Sequence, residues 1–102
     1  EIPLQVAKIY DFISYAVHKN KIKLNTSDEM ITDFSVGNPS KIVIDFRSDL
    51  ISPTKNIRLS NSIFKRIDFG SHQGYYRLVI YLDGVYNYNI QKDATGYMVN
   101  LL

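Results

Sequence analysis

Apolar and polar residues alternate with a period of two along most of this chain. The cleanest run is Lys41-Ile42-Val43-Ile44-Asp45-Phe46-Arg47. Ile42, Ile44 and Phe46 fall on one side of an extended backbone and Lys41, Val43, Asp45 and Arg47 on the other, which predicts a half-buried strand. Asn38-Pro39-Ser40, just before it, supplies a turn. A second clean strand runs from Tyr75 to Leu82, with Leu78, Ile80 and Leu82 on one face and Arg77, Val79 and Tyr81 on the other. Asp83-Gly84 follows as a turn signal. Tyr86 to Ile90 reads as an alternating aromatic strand, whose tyrosines suit cross-strand packing better than a ligand platform. Asp93-Ala94-Thr95-Gly96 turns the chain again, and Tyr97 to Leu101 closes it.

The N-terminal half is less regular. Val6–Ile13, Lys21–Leu24 and Met30–Val36 are predicted strands, although the apolar residues of Val6–Val17 fit neither period well and also admit a helix. Ser48 to Ser62 is rich in turn residues and reads as a linker holding one short strand around Ile57–Leu59. Gly70-Ser71-His72-Gln73-Gly74 reads as a hairpin loop.

The strand units recur at a spacing of roughly 55 residues. Asp11-Phe12 matches Asp68-Phe69, and Lys21–Leu24 matches Arg77–Ile80. Phe34–Val36 matches Tyr88–Ile90, and Ile42–Phe46 matches Tyr97–Leu101. One unit has a single apolar face that it cannot bury alone. Two such units packed together predict an all-β fold, a β-sandwich of two small sheets from an internally duplicated strand unit. The expected organisation is one domain over 1–102, with a first repeat at about 4–47, a linker at about 48–62 and a second repeat at about 63–102.

Composition agrees with this and narrows the function. The 102 residues are 45% hydrophobic and 22% charged, with eight Tyr, five Phe and no Trp, a mix that favours strands over disorder. The net charge of +2 is too small for a broad nucleic-acid surface. The absence of Cys excludes disulfides and thiol catalysis. No apolar run reaches the length of about eighteen residues that a membrane-spanning helix needs. A chain that starts at Glu1 is expected to be a trimmed or mature form, with any signal peptide out of view.

Candidate chemistry is sparse. His18 and His72 are the only histidines, and both fall in polar segments near Ser14 and Ser71, which suggests equivalent loops of the two units. No motif surrounds either, and two distant His with scattered Asp do not make a zinc set. The isolated glycines make no phosphate cradle. The expectation is therefore no catalytic residue, no metal and no cofactor. A binding surface is better supported. The outward sides of the two clean strands offer Lys41, Asp45, Arg47, Arg77 and Tyr81, with Tyr75 at a strand start and Lys65 and Arg66 on a neighbouring segment. Rings can stack on sugar faces, and Arg or Lys can meet carboxylates.

Several segments resemble one family. Asn38-Pro39-Ser40-Lys41-Ile42-Val43-Ile44-Asp45-Phe46 is similar to the Asn-Pro-x-Arg-[Leu/Ile]-Val-[Ile/Val]-Asp-[Leu/Phe] signature of AMIN domains. Ile63 to Gly70 resembles the family's x-Val-x-x-[Ile/Val]-Arg-x-Gly strand, and Tyr76 to Leu82 its Val-Arg-[Leu/Ile]-Val-[Leu/Ile]-Asp-Leu strand. The resemblance covers nearly the whole chain. It departs at three points: Lys41 stands where Arg is usual, Tyr81 where Asp is usual, and the basic residues of Lys65-Arg66-Ile67-Asp68 are shifted. Lys41 keeps the charge but lacks the bidentate fork.

The resemblance implies a duplicated pair of sheets in a non-catalytic domain of the bacterial periplasm. It implies a role in targeting cell-wall amidases or type IV pilus secretins to peptidoglycan. Peptidoglycan is then the expected partner, through Lys41, Arg47, Arg77, Tyr81, Tyr75, Lys65 and Arg66. The alternative is a protein–protein module of a periplasmic assembly, which would bind other cell-envelope proteins through an open sheet edge.

Overall fold

The computed structural model describes residues 6–102, so the expected start of the first repeat at 4 lies outside the described residues. Among the described residues ten strands form, and no helix is long and apolar enough to cross a membrane. They are β1 Ala7–Tyr10, β2 Ile13–His18, β3 Lys21–Asn25, β4 Met30–Val36, β5 Lys41–Arg47, β6 Lys55–Arg58, β7 Phe64–His72, β8 Tyr75–Leu82, β9 Tyr88–Asp93 and β10 Gly96–Leu101. All pairings are antiparallel. Sheet 1 has the order β1-β2-β3-β10-β9 and sheet 2 the order β4-β5-β8-β7-β6.

The all-β class is as the alternation predicts, and the N-terminal segment is extended rather than helical. A turn at Asp11-Phe12 splits the expected strand Val6–Ile13 into β1 and the start of β2. Asp83-Gly84 is not a hairpin turn. It opens a five-residue connection, Asp83 to Asn87, that carries the chain from sheet 2 to sheet 1, because β8 and β9 belong to different sheets. Gly70, Ser71 and His72 belong to β7, and only Gln73-Gly74 turns, with Gly74 at φ 86°.

The chain divides into two units. Residues up to Ser27 join Tyr86–Leu102 to make sheet 1, and the continuous stretch Asp28–Val85 makes sheet 2. Neither sheet is one sequence repeat. The strands β1–β3 and β6–β8 are three-stranded meanders, and β4-β5 and β9-β10 are hairpins. Each half of the chain gives its meander to one sheet and its hairpin to the other.

Register shows how closely the halves correspond. Ile42, Val43, Ile44 and Asp45 on β5 face Ile80, Val79, Leu78 and Arg77 on β8. Their matches Tyr97, Met98, Val99 and Asn100 on β10 face Leu24, Lys23, Ile22 and Lys21 on β3. Two sequence matches shift. Asp33 faces Ile44 while Ile90 faces Val99, so Asp33 rather than Val36 is the counterpart of Ile90. Gly70 faces Arg77 while His18 faces Lys21, so the counterpart of Phe69 is Val17 rather than Phe12.

In sheet 2 the buried face runs through Ile42, Ile44 and Phe46 on β5, Tyr76, Leu78 and Ile80 on β8, and Ile67 and Phe69 on β7. Tyr76 stacks between Phe46, at 5.3 Å, and Phe69, at 5.1 Å, and its hydroxyl donates to Asp28 Oδ2 at 2.9 Å. Each such side chain is worth about 1.5–3 kcal/mol on burial. In sheet 1 the matching face carries Ile22 and Leu24 on β3 and Tyr97, Val99 and Leu101 on β10. Gly96 starts β10 because a Cβ there would overlap the Leu24 carbonyl oxygen. Asp93 Oδ1 shapes the preceding turn by accepting from the Thr95 and Gly96 N–H groups at 2.9 and 3.0 Å.

Candidate binding face

The other face of sheet 2 collects most of the residues expected to bind ligand. Directly paired residues of antiparallel strands share a face, so the register fixes the rows. Lys41 on β5, Tyr81 on β8 and Arg66 on β7 make one row. Phe34, Val43, Val79 and Asp68 make the next, then Thr32, Asp45, Arg77 and Gly70, and last Arg47, Tyr75 and His72.

This face is more occupied than the alternation implies. The strand β5, expected to be half-buried, is buried on both sides from Ile42 to Phe46, with Val43 4% and Asp45 8% exposed. Long neighbours cover it. The Arg77 guanidinium grips Asp45 with two bonds, Nε to Oδ1 at 2.8 Å and Nη2 to Oδ2 at 3.1 Å, and lies 5.7 Å from the Phe34 ring. Thr32 Oγ1 donates to the same carboxylate at 3.3 Å. The Asp45 hydrogen bond holds the Arg77 guanidinium above its usual pKa.

The first row is a cation–ring stack. Lys41 Nζ lies 5.6 Å from the Tyr81 ring centroid, and the Arg66 guanidinium carbon lies 4.2 Å from it. Arg66 Nη2 donates to Asp68 Oδ2 at 3.0 Å, while Nε sits 2.9 Å from Oδ1 as an ion pair. Hydrogen bonding to Tyr81, then to Asp68, raises the Arg66 pKa. The three departures from the AMIN pattern therefore meet at one spot. The usual Arg and Asp would stand at positions 41 and 81, which face each other; here Lys and Tyr stand there, and the shifted Arg66 lies over the Tyr81 ring.

The last row is open. Arg47 Nε meets Glu29 Oε1 at 3.1 Å with both side chains about two-thirds exposed, a geometry worth little in water. The Tyr75 ring stacks on His72 at 4.8 Å. Lys65 does not join the rows. It is the extra residue of a β-bulge between Phe64 and Arg66, and its ammonium donates to the Asn61 carbonyl at 3.3 Å.

Both histidines are exposed but end strands rather than occupying loops, and the register does not make them equivalent. Ser71 Oγ accepts from the Ser52 N–H at 2.9 Å. Among the described residues no three of His, Cys, Asp and Glu converge as a metal set would.

A residue that the sequence reading treated as a loop glycine, Gly70, lies on this face. A shallow cleft of about 230 Å³ opens above it, lined by Thr54, Asn56, Asp68, His72, Arg77 and Val79 among others. The signal that could have found it was a glycine inside an otherwise regular strand.

Two antiparallel sheets in which each half supplies a meander and a hairpin, one of them with aromatic and cationic side chains on a face, define a small all-β domain. Comparison with known families gives the specific assignment: the AMIN domain model matches residues 11–101, and the chain belongs to that family. AMIN domains are non-catalytic localisation domains of periplasmic proteins. No curated protein and no solved structure matches the chain.

Proposed function

We propose that this domain binds peptidoglycan in the periplasm and thereby localises the envelope protein to which it is attached. The observation that supports this reading is the Lys41–Tyr81–Arg66 stack on the outward face of sheet 2. A flat sheet with a ring held between two cations offers a stacking surface for sugar and charge for stem-peptide carboxylates. Arg77 and Arg66 already hold Asp45 and Asp68, so they position the surface. Lys41 and the exchangeable Arg47–Glu29 pair are the cations that meet an anionic ligand, with Tyr75 beside them.

Co-sedimentation with purified, protein-free sacculi tests this. Tyr81→Asp removes the ring and gives Lys41 and Arg66 a carboxylate to pair with, so folding is retained. The variant is expected to lose at least tenfold of sacculus affinity, a loss of about 1.4 kcal/mol. Folded wild-type protein that stays in the supernatant overturns the reading.

A second reading has its own observation. The edge strand β4 is seven residues long and exposes Ile31, Phe34 and Val36, with one charge, Asp33. Such an edge can accept a strand from another envelope protein. Under this reading, Ile31→Lys abolishes partner capture and leaves sacculus binding unchanged.

A further inference from the structure

Gly70 has no backbone reason to be glycine. It lies inside β7, where pairing with β8 is continuous from Arg66 to His72. Its φ is not positive, and a Cβ built on it would meet only His72 Nε2, at 3.9 Å. Glycine weakens a strand interior, and in strands it marks bulges or places where another group approaches the backbone closely. With no bulge here, close approach is left.

The surroundings fit that explanation. Arg77 pairs with Gly70 across the ladder, yet its guanidinium leans the other way, onto Asp45 of β5. The space above Gly70 is therefore left unfilled, and the cleft forms there. Its walls come from three sides: Thr54 and Asn56 from the segment leading into β6 and from β6 itself, His72 braced against Tyr75, and Val79 of β8. Asp68 is fixed in place, since Arg66 holds its carboxylate and the Asn56 amide, with its O and N exchanged to satisfy both, donates to Oδ1 at 2.9 Å.

We propose that the cleft above Gly70 is a subsite for one neutral sugar ring of a glycan strand. The inference rests on the peptidoglycan reading and assigns the glycan, rather than the peptide stem, to this part of the face. At about 230 Å³ the cleft is below the size of sites that enclose drug-sized ligands, and it suits a single ring. The bare Gly70 backbone and Val79 offer an apolar floor for the C–H face of the ring. Thr54, Asn56, Asp68 and the guanidinium N–H groups of Arg77 that Asp45 does not occupy provide a rim of both donors and acceptors, which matches hydroxyl and acetamido groups.

The test uses Gly70→Val and the milder Gly70→Ala, which fill the cleft at a position with room for a side chain. Both are expected to unfold at the wild-type temperature or above it. The probes are an uncrosslinked N-acetylglucosamine oligosaccharide, a free stem peptide and intact sacculi, followed by titration and by backbone amide NMR shifts. The expected result is saturable oligosaccharide binding by wild type, with shifts at Gly70, Asn56 and Thr54. Gly70→Val should weaken it at least tenfold, Gly70→Ala less, and stem-peptide binding should not change. Sacculus binding by wild type with equal oligosaccharide affinity in both Gly70 variants overturns the subsite and leaves the peptidoglycan reading standing. Oligosaccharide shifts centred on the cleft without sacculus retention support the subsite and overturn the wider reading. Binding of neither probe by wild type overturns both.

Discussion

The pairs β5–β8 of sheet 2 and β10–β3 of sheet 1 share a register but not a chemistry. Where sheet 2 sets Asp45 against Arg77, sheet 1 sets Asn100 against Lys21. Where sheet 2 has Val43 against Val79, sheet 1 has Met98 against Lys23. Lys41 and Tyr81 correspond to Gly96 and Asn25, and Gly70 corresponds to His18. Sheet 1 uses its polar groups on its own β9–β10 hairpin. Lys23 reaches Asp93 Oδ1 and Thr95 Oγ1, both at 2.7 Å, and Asn100 Nδ2 donates to Asn89 Oδ1 at 2.9 Å. Sheet 2 keeps a cation–ring stack and a cleft. Backbone pairing thus sets the scaffold twice, and the side chains make the two copies chemically different.

Exchanging residues between the counterparts breaks this relation most sharply at Gly96. Gly96→Lys writes the sheet 2 residue into sheet 1 and drives a Cβ into the Leu24 carbonyl. We expect a loss of about 3 kcal/mol in urea unfolding. The reverse change, Lys41→Gly, should cost about 1 kcal/mol at most. Similar losses for the two would show that the counterparts do not differ in backbone approach.

A smaller effect is expected at the polar pair. Asp45→Asn copies Asn100 into sheet 2 and leaves Arg77 one neutral acceptor in place of a two-oxygen carboxylate, at a cost of about 1–2 kcal/mol after allowing for the solvent that reaches Arg77. Asn100→Asp should change the unfolding midpoint little. If Asp45→Asn proves equally silent, the Asp45–Arg77 pair does not support the face.

The smallest effect concerns pH. The Lys23 ammonium, and then the Thr95 N–H, hold the Asp93 carboxyl below its ordinary pKa. A depressed folded-state pKa gives a stabilisation that is complete above the unfolded-state value and fades as pH falls through the folded one. Asp93→Asn should therefore lower stability slightly near neutrality and narrow the gap to wild type below about pH 4. A constant gap from pH 7 to pH 2 would contradict the Lys23–Asp93 linkage.

Much of the scaffold is legible in the residues because strand alternation is a local signal. β4, β5 and β8 match their predicted spans, and β3 and β10 nearly do. What alternation misses is lateral. It names Val43 and Asp45 as outward but cannot see Phe34 and Arg77 laid across them, so β5 reads as half-buried. Asp83-Gly84 looks like a hairpin because the dipeptide reports only local geometry, whereas the choice between sheets depends on β10 far along the chain. The expected cations Lys41, Arg47, Arg66 and Arg77 share one face of sheet 2, and Lys65 stands apart at its bulge. Their partners were invisible, since Asp45 and Asp68 reach Arg77 and Arg66 only once register is known. Gly70 was hidden by the turn-like Gly-Ser-His-Gln-Gly composition around it.

The exchange of hairpins leaves each half of the chain with an unfinished ladder. β3 needs β10 and β8 needs β5, and each of these pairs joins one half to the other. Two separate copies of one half could complete each other only as a swapped dimer, whose assembly would depend on concentration. The segment between β5 and β6 ties the halves together and replaces that dependence with a fixed effective concentration. The chain is in this sense a dimer that dilution cannot separate, and its two sheets are free to diverge in the side chains they carry.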